Sequence, residues 1–396
     1  MAFQRMIGIG VLALLCAGGP VSAQVTFRGL GIPSGFEGSF ALDVSDDGSV
    51  VVGHAGVYLI GAGTRAFRWT ESTGTVILPD LPGQAPSIAR AVTSDGIVVV
   101  GESGSRPVRW QGSGANALAS PGTGGGSARG ISGDGTQIVG SAWTSLGGPG
   151  FAARLGEPVA LPLLLSSWIP GYVGQCGAIA YSTATDRRIC VGSSCLVSAA
   201  NTQLQFPVKW DEADAVSPLA TFGSGGVATS ISPDGGTIVG YLWLINNPIN
   251  VAAVKWASDG VPVALERVGA DVGSYALAVA RNGTVTVGWS WGGVAPTRAV
   301  RWTANGRAQV VKSILLVNNT AEVEGWELTQ ANGVSSDGRF IVGEGINPFG
   351  QREAWIASIP VQCVADVDDG SGTNTPDGGV TIDDLLYFLA RFEAGC

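Results

Sequence analysis

The 396-residue chain has few charged side chains and a single histidine, His54. Charged residues make up 13% of it and form no basic stripe, so we expect no nucleic-acid partner. One histidine excludes a metal site built from several histidines, and a catalytic triad would have to use His54 itself. After the first 23 residues, no apolar run is long enough to predict a membrane helix. The main body of the chain therefore has little with which to build a hydrolytic or metal centre.

The N-terminal segment Met1–Ala23 has the three parts of a secretion signal. Arg5 lies in a short basic start, Ile7–Ala17 is an apolar run too short to span a bilayer, and Val21–Ala23 forms a small-residue cleavage site. The sequence therefore predicts a protein that is secreted and acts extracellularly or at the cell surface.

Five cysteines remain after removal of this signal, and export permits disulfides. Cys176 and Cys195 flank a predicted hairpin that turns near Asp186 and Arg187, which places them opposite each other across the two strands and predicts a disulfide. Cys190 is then left as a buried thiol. The alternative is a metal cluster of these three cysteines, which their spacing does not favour.

A motif of about 13 residues occurs seven times, with a turn in its centre and a glycine at its end. The closing glycines recur about every 48 residues, a period typical of propellers and solenoids made of strands. They are Gly53, Gly101, Gly140, Gly192, Gly240, Gly288 and Gly343. The first copy reads ALDVSDDGSVVVG and is followed by AFRWT.

Each repeat predicts four antiparallel strands, as in a propeller blade. Asp-Gly or Asn-Gly pairs such as Asp47-Gly48 predict two-residue hairpin turns, since such turns need positive φ. The last repeat stops at its third strand, Glu353–Ile359, whereas Val25–Leu30 resembles a fourth strand without a blade. Pairing these two segments would close a ring and remove its exposed edges. We therefore predict an all-β, seven-bladed propeller over residues 24–360.

The repeat signature A-x-x-V-S-x-D-G-x-x-V-V-G with A-x-R-W resembles the HAF-type extracellular repeat family, over roughly Val25–Pro360. That resemblance implies an exported repeat protein and no defined activity. The recurring basic-Trp pairs, for example Arg109-Trp110, are interpreted as packing between blades because they return in repeat after repeat. Leu155 takes the place of the tryptophan in the third repeat.

Residues that differ between repeats are the better candidates for function, because binding residues concentrate on variable loops over a rigid scaffold. The segments after the closing glycines are predicted to be such loops, on the same side of the ring as the connections between blades. Their exposed rings could stack on a glycan or a peptide, and the alternative is that they pack against neighbouring blades. These candidates are His54, Tyr58, Trp143, Tyr241, Trp243, Trp289 and Trp291.

Two glutamates, or aspartates of the loops, supply the catalytic hypothesis for the repeats. Glu102 and Glu344 follow the closing glycines of the second and seventh motifs and could face a central channel. A pair of carboxylates at suitable separation can hydrolyse glycosidic bonds. The simpler interpretation is that both are solvated surface groups.

The C-terminal segment 361–396 is strongly acidic and contains a calcium-loop pattern. Asp366 and Asp368 begin the pattern, Asp377 is followed by glycine, and Thr381 and Asp384 end it. The apolar residues from Ile382 to Phe392 recur at helical spacing and predict a helix. The sequence therefore predicts calcium as a cofactor, and the alternative is an acidic tail that binds no metal.

This segment resembles the single-repeat, Gly-Cys-ending dockerin-like tails of exported bacterial proteins. The resemblance implies calcium binding and attachment to a cell-surface or anchoring partner. About seven extra residues between Asp368 and Asp377 and the presence of one loop rather than two depart from dockerins that bind cohesins. Cys363 and Cys396 bracket the tail and are predicted to form a disulfide.

Two functions remain open from the sequence. The first is an exported, non-enzymatic propeller that binds or scaffolds outside the cell and is anchored or sorted through its tail. The second is a carbohydrate-active enzyme, a hydrolase or a lyase, that uses the variable-loop side of the ring. A ring serving only as a spacer is a third interpretation.

We predict that calcium binds the tail of the full-length chain, because hard oxygen ligands occupy positions one, three, five, nine and twelve of its loop. Titration calorimetry should show one calcium site with an affinity that falls at least about tenfold in Asp384→Asn, because position twelve supplies a main ligand. Glu71→Gln is the control, since it removes a carboxylate outside the tail. Absence of heat in the unsubstituted protein would exclude the metal site.

Overall fold

The computed structural model describes residues 24–57, 61, 63–144, 150–244, 250–257, 260–293, 296–361, 382, 385 and 386. Tyr58, the predicted calcium ligands and the Cys363–Cys396 pair lie outside the described residues. Ile382, Leu385 and Leu386 are helical and at least half exposed. Residues Val25–Val361 form one compact unit.

Seven antiparallel sheets of four strands each make up this unit. The first blade contains β2 (Ser39–Val44), β3 (Val50–Ala55), β4 (Arg65–Thr70) and β5 (Gly74–Ile77). The second contains β6 (Ser87–Val92), β7 (Val98–Ser103), β8 (Arg106–Gln111) and β9 (Gly114–Ala117). The third contains β10 (Gly125–Ile131), β11 (Ile138–Trp143), β12 (Gly150–Arg154) and β13 (Val159–Ala160). The fourth contains β14 (Tyr172–Thr183), β15 (Cys190–Ser198), β16 (Gln203–Trp210) and β17 (Val216–Pro218).

The remaining three blades follow the same order. The fifth contains β18 (Gly225–Ile231), β19 (Ile238–Trp243), β20 (Val251–Trp256) and β21 (Pro262–Ala264). The sixth contains β22 (Gly273–Val279), β23 (Val285–Trp291), β24 (Arg298–Thr303) and β25 (Ala308–Val310). The seventh contains β26 (Glu327–Val334), β27 (Phe340–Ile346) and β28 (Arg352–Ser358), with β1 (Thr26–Gly29) as its outer strand. A short helix, α1 (Val311–Val317), and three 3₁₀ turns lie in the connections.

The N-terminal strand closes the ring, as predicted. β1 pairs antiparallel with β28, from Thr26 opposite Ser358 to Gly29 opposite Trp355. The first strands of neighbouring blades contact one another around the whole ring, including β26 of the last blade and β2 of the first. These seven strands therefore surround the central axis, and β1 gives the seventh blade the outer strand that the other six blades also have.

The hydrophobic core is divided among the spaces between blades. Val52 and Ala66 of the first blade, for example, pack with Ala89 and Val99 of the second. The repeated tryptophans fill the same spaces and are almost fully buried. Several donate their indole N–H to a backbone carbonyl in the preceding connection: Trp110 to Pro79, Trp210 to Pro162, Trp256 to Ala220 and Trp302 to Glu266. The basic-Trp pair therefore recurs because its tryptophan packs between the blades.

The Asp-Gly turns hold four residues rather than two, so the predicted turn type is wrong. In the first blade Ser45 N–H bonds to the Val50 carbonyl across the turn at 3.0 Å. The Ser45 hydroxyl donates to Asp47 at 2.7 Å, and the Asp47 carboxylate accepts the N–H of Ser49 at 2.9 Å. Only Gly48, with φ of 71°, has positive φ among these residues. The serine–aspartate pair therefore shapes the turn, and the motif is structural at this position.

These turns are bonded to one another around the end of the axis. Asp46 N–H donates to Ser94 O and Ser94 N–H to Gly133 O, each at 3.0 Å. Arg281 N–H donates to Ser336 O at 2.8 Å, and Ser336 N–H returns to the Asp46 carboxylate at 3.0 Å. The residue before the motif's Asp-Gly pair thus links each of these blades to the next.

The closing glycine of each motif is required by a close backbone approach. A methyl group at any of the seven would overlap a carbonyl oxygen of the first strand in the same blade, for example that of Val227 at Gly240. At the same level every first strand contains a β-bulge, as between Ala228 and Ser230. Because the glycine has no side chain, the bulged first strand can approach the second strand closely at this point.

We predict that Gly240→Ala destabilises the propeller by about 3 kcal/mol, at the upper end of overpacking costs, because the obstructing atom belongs to the backbone. Gly63→Ala is the matched control, since a methyl group there meets no atom within 4 Å. Chemical denaturation of both variants measures the difference. Equal stability of the two would contradict the steric explanation.

Candidate functional site

The predicted ligand-binding residues that the structure describes lie on strands, not on loops. His54 is in β3, Trp143 in β11, Tyr241 and Trp243 in β19, and Trp289 and Trp291 in β23. The second strands continue past the closing glycine, so these side chains belong to the sheets. The strand ends do lie beside the connections between blades, as Gly56 N–H donating to Gly38 O at 3.0 Å shows.

The residue directly after the closing glycine lies in the second strand of each blade, next to the strand that borders the axis. His54 occupies this position in the first blade, where it is buried, stacks on Phe40 at 4.7 Å and has no hydrogen-bond partner for either ring nitrogen among the described residues. Burial, together with the nearby Arg90 guanidinium, lowers the pKa of His54 to about 4. His54 is therefore neutral at neutral pH and packs against Phe40.

Four aromatic rings form a continuous array across the fifth and sixth blades. Trp243 meets Tyr241 edge-on at 5.7 Å, Tyr241 meets Tyr275 at 4.7 Å, and Tyr275 stacks on Trp289 at 4.2 Å. All four rings are half-buried. Tyr275 is the member that the sequence did not single out, because it precedes rather than follows a motif glycine. Burial raises the pKa of Tyr241 and of Tyr275, so both hydroxyls stay protonated at neutral pH.

Among the described residues, no ring contact links Trp143 or Trp291 to this array. Both end their second strands and are half-buried. The Trp291 indole N–H is enclosed near Gly273 and has no partner in the described part of the chain. The structure thus brings together three of the predicted residues, Tyr241, Trp243 and Trp289.

A second set of residues faces the axis, and it comes from the bulges in the first strands. Ala89 packs toward the first blade and Ala91 toward the third, so the bulged Arg90 between them is left pointing to the axis. In the third blade, Ala128 packs toward the second blade and Gly130 lies against the backbone of the fourth. The bulged Arg129 between them therefore also points to the axis. The seven half-buried bulged residues are Leu42, Arg90, Arg129, Tyr181, Thr229, Leu277 and Asn332.

A small cavity of about 110 Å³ lies on the axis at the turn end of the ring. Residues from all seven blades line it, among them Asp43, Ser94, Thr185 and Ser336. The Asp43 carboxylate accepts the N–H groups of Val44 and Val92, each at 2.9 Å. Desolvation nevertheless raises its pKa to about 7. The axis is therefore hollow at this end and polar at its wall.

The two candidate catalytic glutamates are not solvated surface groups, contrary to the simpler interpretation of the sequence. Glu102 is largely buried and bonds Arg90 at 2.6 Å. Burial raises its pKa, but the Arg90 guanidinium, with a smaller contribution from that of Arg129, outweighs this and holds the pKa below the ordinary value. Glu344 is buried beside Arg352 at 3.5 Å, and burial raises its pKa to about 7.

The cysteines of the fourth blade behave as predicted. Cys176 and Cys195 form a disulfide with Cα atoms 5.0 Å apart, and Cys190 is a free buried thiol. Burial raises the pKa of the Cys190 thiol to about 12, so it remains protonated. The alternative metal cluster of the three cysteines is therefore wrong. Across the described residues, no group of three or more His, Cys, Asp and Glu side chains is placed to hold a metal ion.

Comparison with solved structures gives distant likenesses. A putative TolB from Agrobacterium tumefaciens is 13% identical with a TM-score of 0.44, covering 82% of this chain and 98% of its own. An oligogalacturonate lyase in complex with manganese is 13% identical with a TM-score of 0.45, covering 85% and 97%. The β-propeller domain of the Trilobed protease from Pyrococcus furiosus is 8% identical with a TM-score of 0.47, covering 80% and 95%.

No protein-family model matches the chain, and no curated protein matches its sequence. In the part of the chain that the structure describes, no helix has both the length and the apolar character needed to cross a bilayer.

We predict that His54 titrates near pH 4, because its imidazole is desolvated between two blades. It is the only histidine, so its ring proton signals can be followed by NMR without assignment ambiguity. A base whose folded pKa is depressed gives stability that is present above its unfolded pKa of about 6.5 and lost as pH falls toward 4. In His54→Phe, Tm should therefore fall less over that pH interval than it does in the unsubstituted protein. Titration near pH 6.5 would contradict the buried placement.

Proposed function

We propose that this protein is an exported, non-enzymatic propeller that binds a glycan outside the cell through the aromatic array of its fifth and sixth blades. The observation that carries the proposal is the continuity of Trp243, Tyr241, Tyr275 and Trp289, whose rings touch one another yet remain partly exposed. The corresponding pair is Phe40 and His54 in the first blade but Ser127 and Ser141 in the third, so ring closure does not require aromatic residues at these positions.

Sugar rings suit such a surface for two reasons. Their C–H faces stack on indole and phenol rings, and their hydroxyls exchange hydrogen bonds with protonated tyrosine hydroxyls. Both tyrosines of the array remain protonated at neutral pH because burial raises the pKa of each. A peptide ligand would use the same rings but would also need backbone partners.

Export and anchoring belong to the same proposal. The N-terminal segment has the pattern of a signal peptide, and the Cys176–Cys195 disulfide is consistent with an extracellular protein. The HAF-type repeat signature supports an exported repeat protein. The acidic segment 361–396 would then attach the propeller to a cell-surface partner in a calcium-dependent way, as its dockerin-like pattern suggests.

Removal of one ring of the array should weaken glycan binding about tenfold, or roughly 1.4 kcal/mol. The variants are Trp289→Ala and Tyr275→Ala, and the control is Trp168→Ala, which removes a tryptophan that is 47% exposed outside the array. A glycan array identifies the bound oligosaccharide, and calorimetry then measures each variant. Equal losses in all three variants would contradict a site at the array.

A carbohydrate-active enzyme is the second candidate, and one observation favours it. Glu102 has a lowered pKa while that of Glu344 is about 7, the kind of separation that an acid and a base show. Each carboxylate, however, already bonds an arginine of its own blade. Incubation of the oligosaccharides found on the array with the protein distinguishes the two functions: cleavage that is abolished by Glu344→Gln would replace the binding proposal.

A further inference from the structure

Two arginines carry all the charge of the seven bulged residues that face the axis. Arg90 and Arg129 hold equivalent positions in adjacent blades, and the other five members are Leu42, Tyr181, Thr229, Leu277 and Asn332. Equivalent positions of neighbouring first strands lie side by side around the axis, so the two guanidinium groups share one arc of its wall. Tyr181 of the fourth blade continues that arc and is close enough to affect the pKa of Arg129.

The charges on this arc are not balanced. Glu102 supplies one carboxylate, and it is held by Arg90 at 2.6 Å. Arg129 makes no hydrogen bond or ion pair with the residues that the structure describes, and its Nε is buried without a partner. The Nε of Arg90 is buried and unpartnered as well. The two guanidinium groups thus share one carboxylate, since Glu102 also acts electrostatically on Arg129, and one positive charge beside the axis remains unbalanced.

An unpaired cation in this position is unfavourable unless something compensates it. Burial and the neighbouring Arg90 charge together lower the pKa of Arg129 to about 10, although Glu102 opposes the shift, and the group stays protonated at neutral pH. Desolvating a charge without pairing it costs several kcal/mol, which a bound anion would offset. Nothing in the repeat requires arginine here, since five of the seven blades fold with other residues at the same position.

We infer that Arg129, supported by Arg90, is the binding site for an oxyanion carried by the ligand, so that the glycan is an acidic one. The planar guanidinium presents paired N–H donors that match a carboxylate or sulfate group. The inference rests on the proposed function for the identity of the carrier: the aromatic array takes the sugar rings and the arginine arc takes the acidic substituent. Tyr181 connects the two surfaces, because it affects the pKa of both Arg129 and Tyr241.

Thermal unfolding of the full chain at pH 7 and constant ionic strength tests the anion site. Sodium chloride is replaced stepwise by sodium sulfate or sodium glucuronate, and the Tm is followed. Unsubstituted protein should be stabilised in a saturable way, and the apparent affinity should fall at least about tenfold in Arg129→Gln, because a charge-assisted pair is lost. Arg106→Gln is the control, since it removes the same charge from an exposed position of the second blade.

Arg129→Lys is the second test variant, to be used if Arg129→Gln does not fold. It keeps the charge but loses the paired donors, so the affinity for glucuronate should fall by several-fold, about threefold to tenfold. An identical response in the arginine, lysine and glutamine forms would overturn the inference, as would stabilisation by chloride equal to that by sulfate.

Calorimetry with oligomers of glucuronic acid and of glucose separates this inference from the proposed function. The two proposals together predict that glucuronate oligomers bind more tightly than glucose oligomers, that Arg129→Gln removes the difference, and that Trp289→Ala weakens both. If Trp289→Ala weakens both oligomers and Arg129→Gln changes neither, the anion site is wrong and the aromatic site stands. If sulfate binding depends on Arg129 while Trp289→Ala has no effect on any oligomer, the aromatic site is wrong and the anion site stands.

Discussion

The contact between the closing glycine of each second strand and a carbonyl oxygen of the first strand determines the rest of the blade. Only a residue without a side chain allows that approach, and it recurs in all seven blades. Beside it, the first strand accommodates one extra residue, which leaves the pairing register and turns its side chain to the axis. Packing between blades, in contrast, depends on the small and apolar residues on either side of that bulge. Within one motif, the residues beside the bulge thus determine the packing between blades, and the bulged residue determines the surface that faces the axis.

This separation explains how a highly repetitive ring can carry a localised site. The alanines that flank the bulge and the buried tryptophans are fixed by blade packing. The bulged residue is only half-buried, and where it reaches the next blade, as Thr229 and Asn332 do, it donates to a backbone carbonyl rather than filling the core. It therefore varies freely, from leucine at Leu42 to arginine at Arg129, without disturbing closure. The residue after the glycine varies in the same way, from His54, which is packed, to Trp289, which stays partly exposed. Function in this fold can be placed at either position.

The period, the blade number and the closing strand could all be predicted because their causes are repeated seven times in the sequence. The turn type could not, since Asp-Gly alone does not show that the Ser45 hydroxyl binds Asp47 and enlarges the loop. The pattern predicts loops for His54 and the aromatic residues because it does not reveal that the second strands continue past the glycine. Arg90 and Arg129 were missed because a bulge breaks the alternation from which facing is deduced. Arginine at the same variable position in two successive motifs, ARAV and ARGI, was the available signal.

A crystal structure of the full-length protein with a bound glucuronate oligosaccharide tests the central claim, that the ligand occupies the inner surface created by the bulges and second-strand ends. The account predicts a carboxylate against the guanidinium of Arg129 and a sugar ring over the indole of Trp289, with the blades unchanged. A ligand bound only to outer strands or to the turn side of the ring, with Arg129 uncontacted, would contradict it.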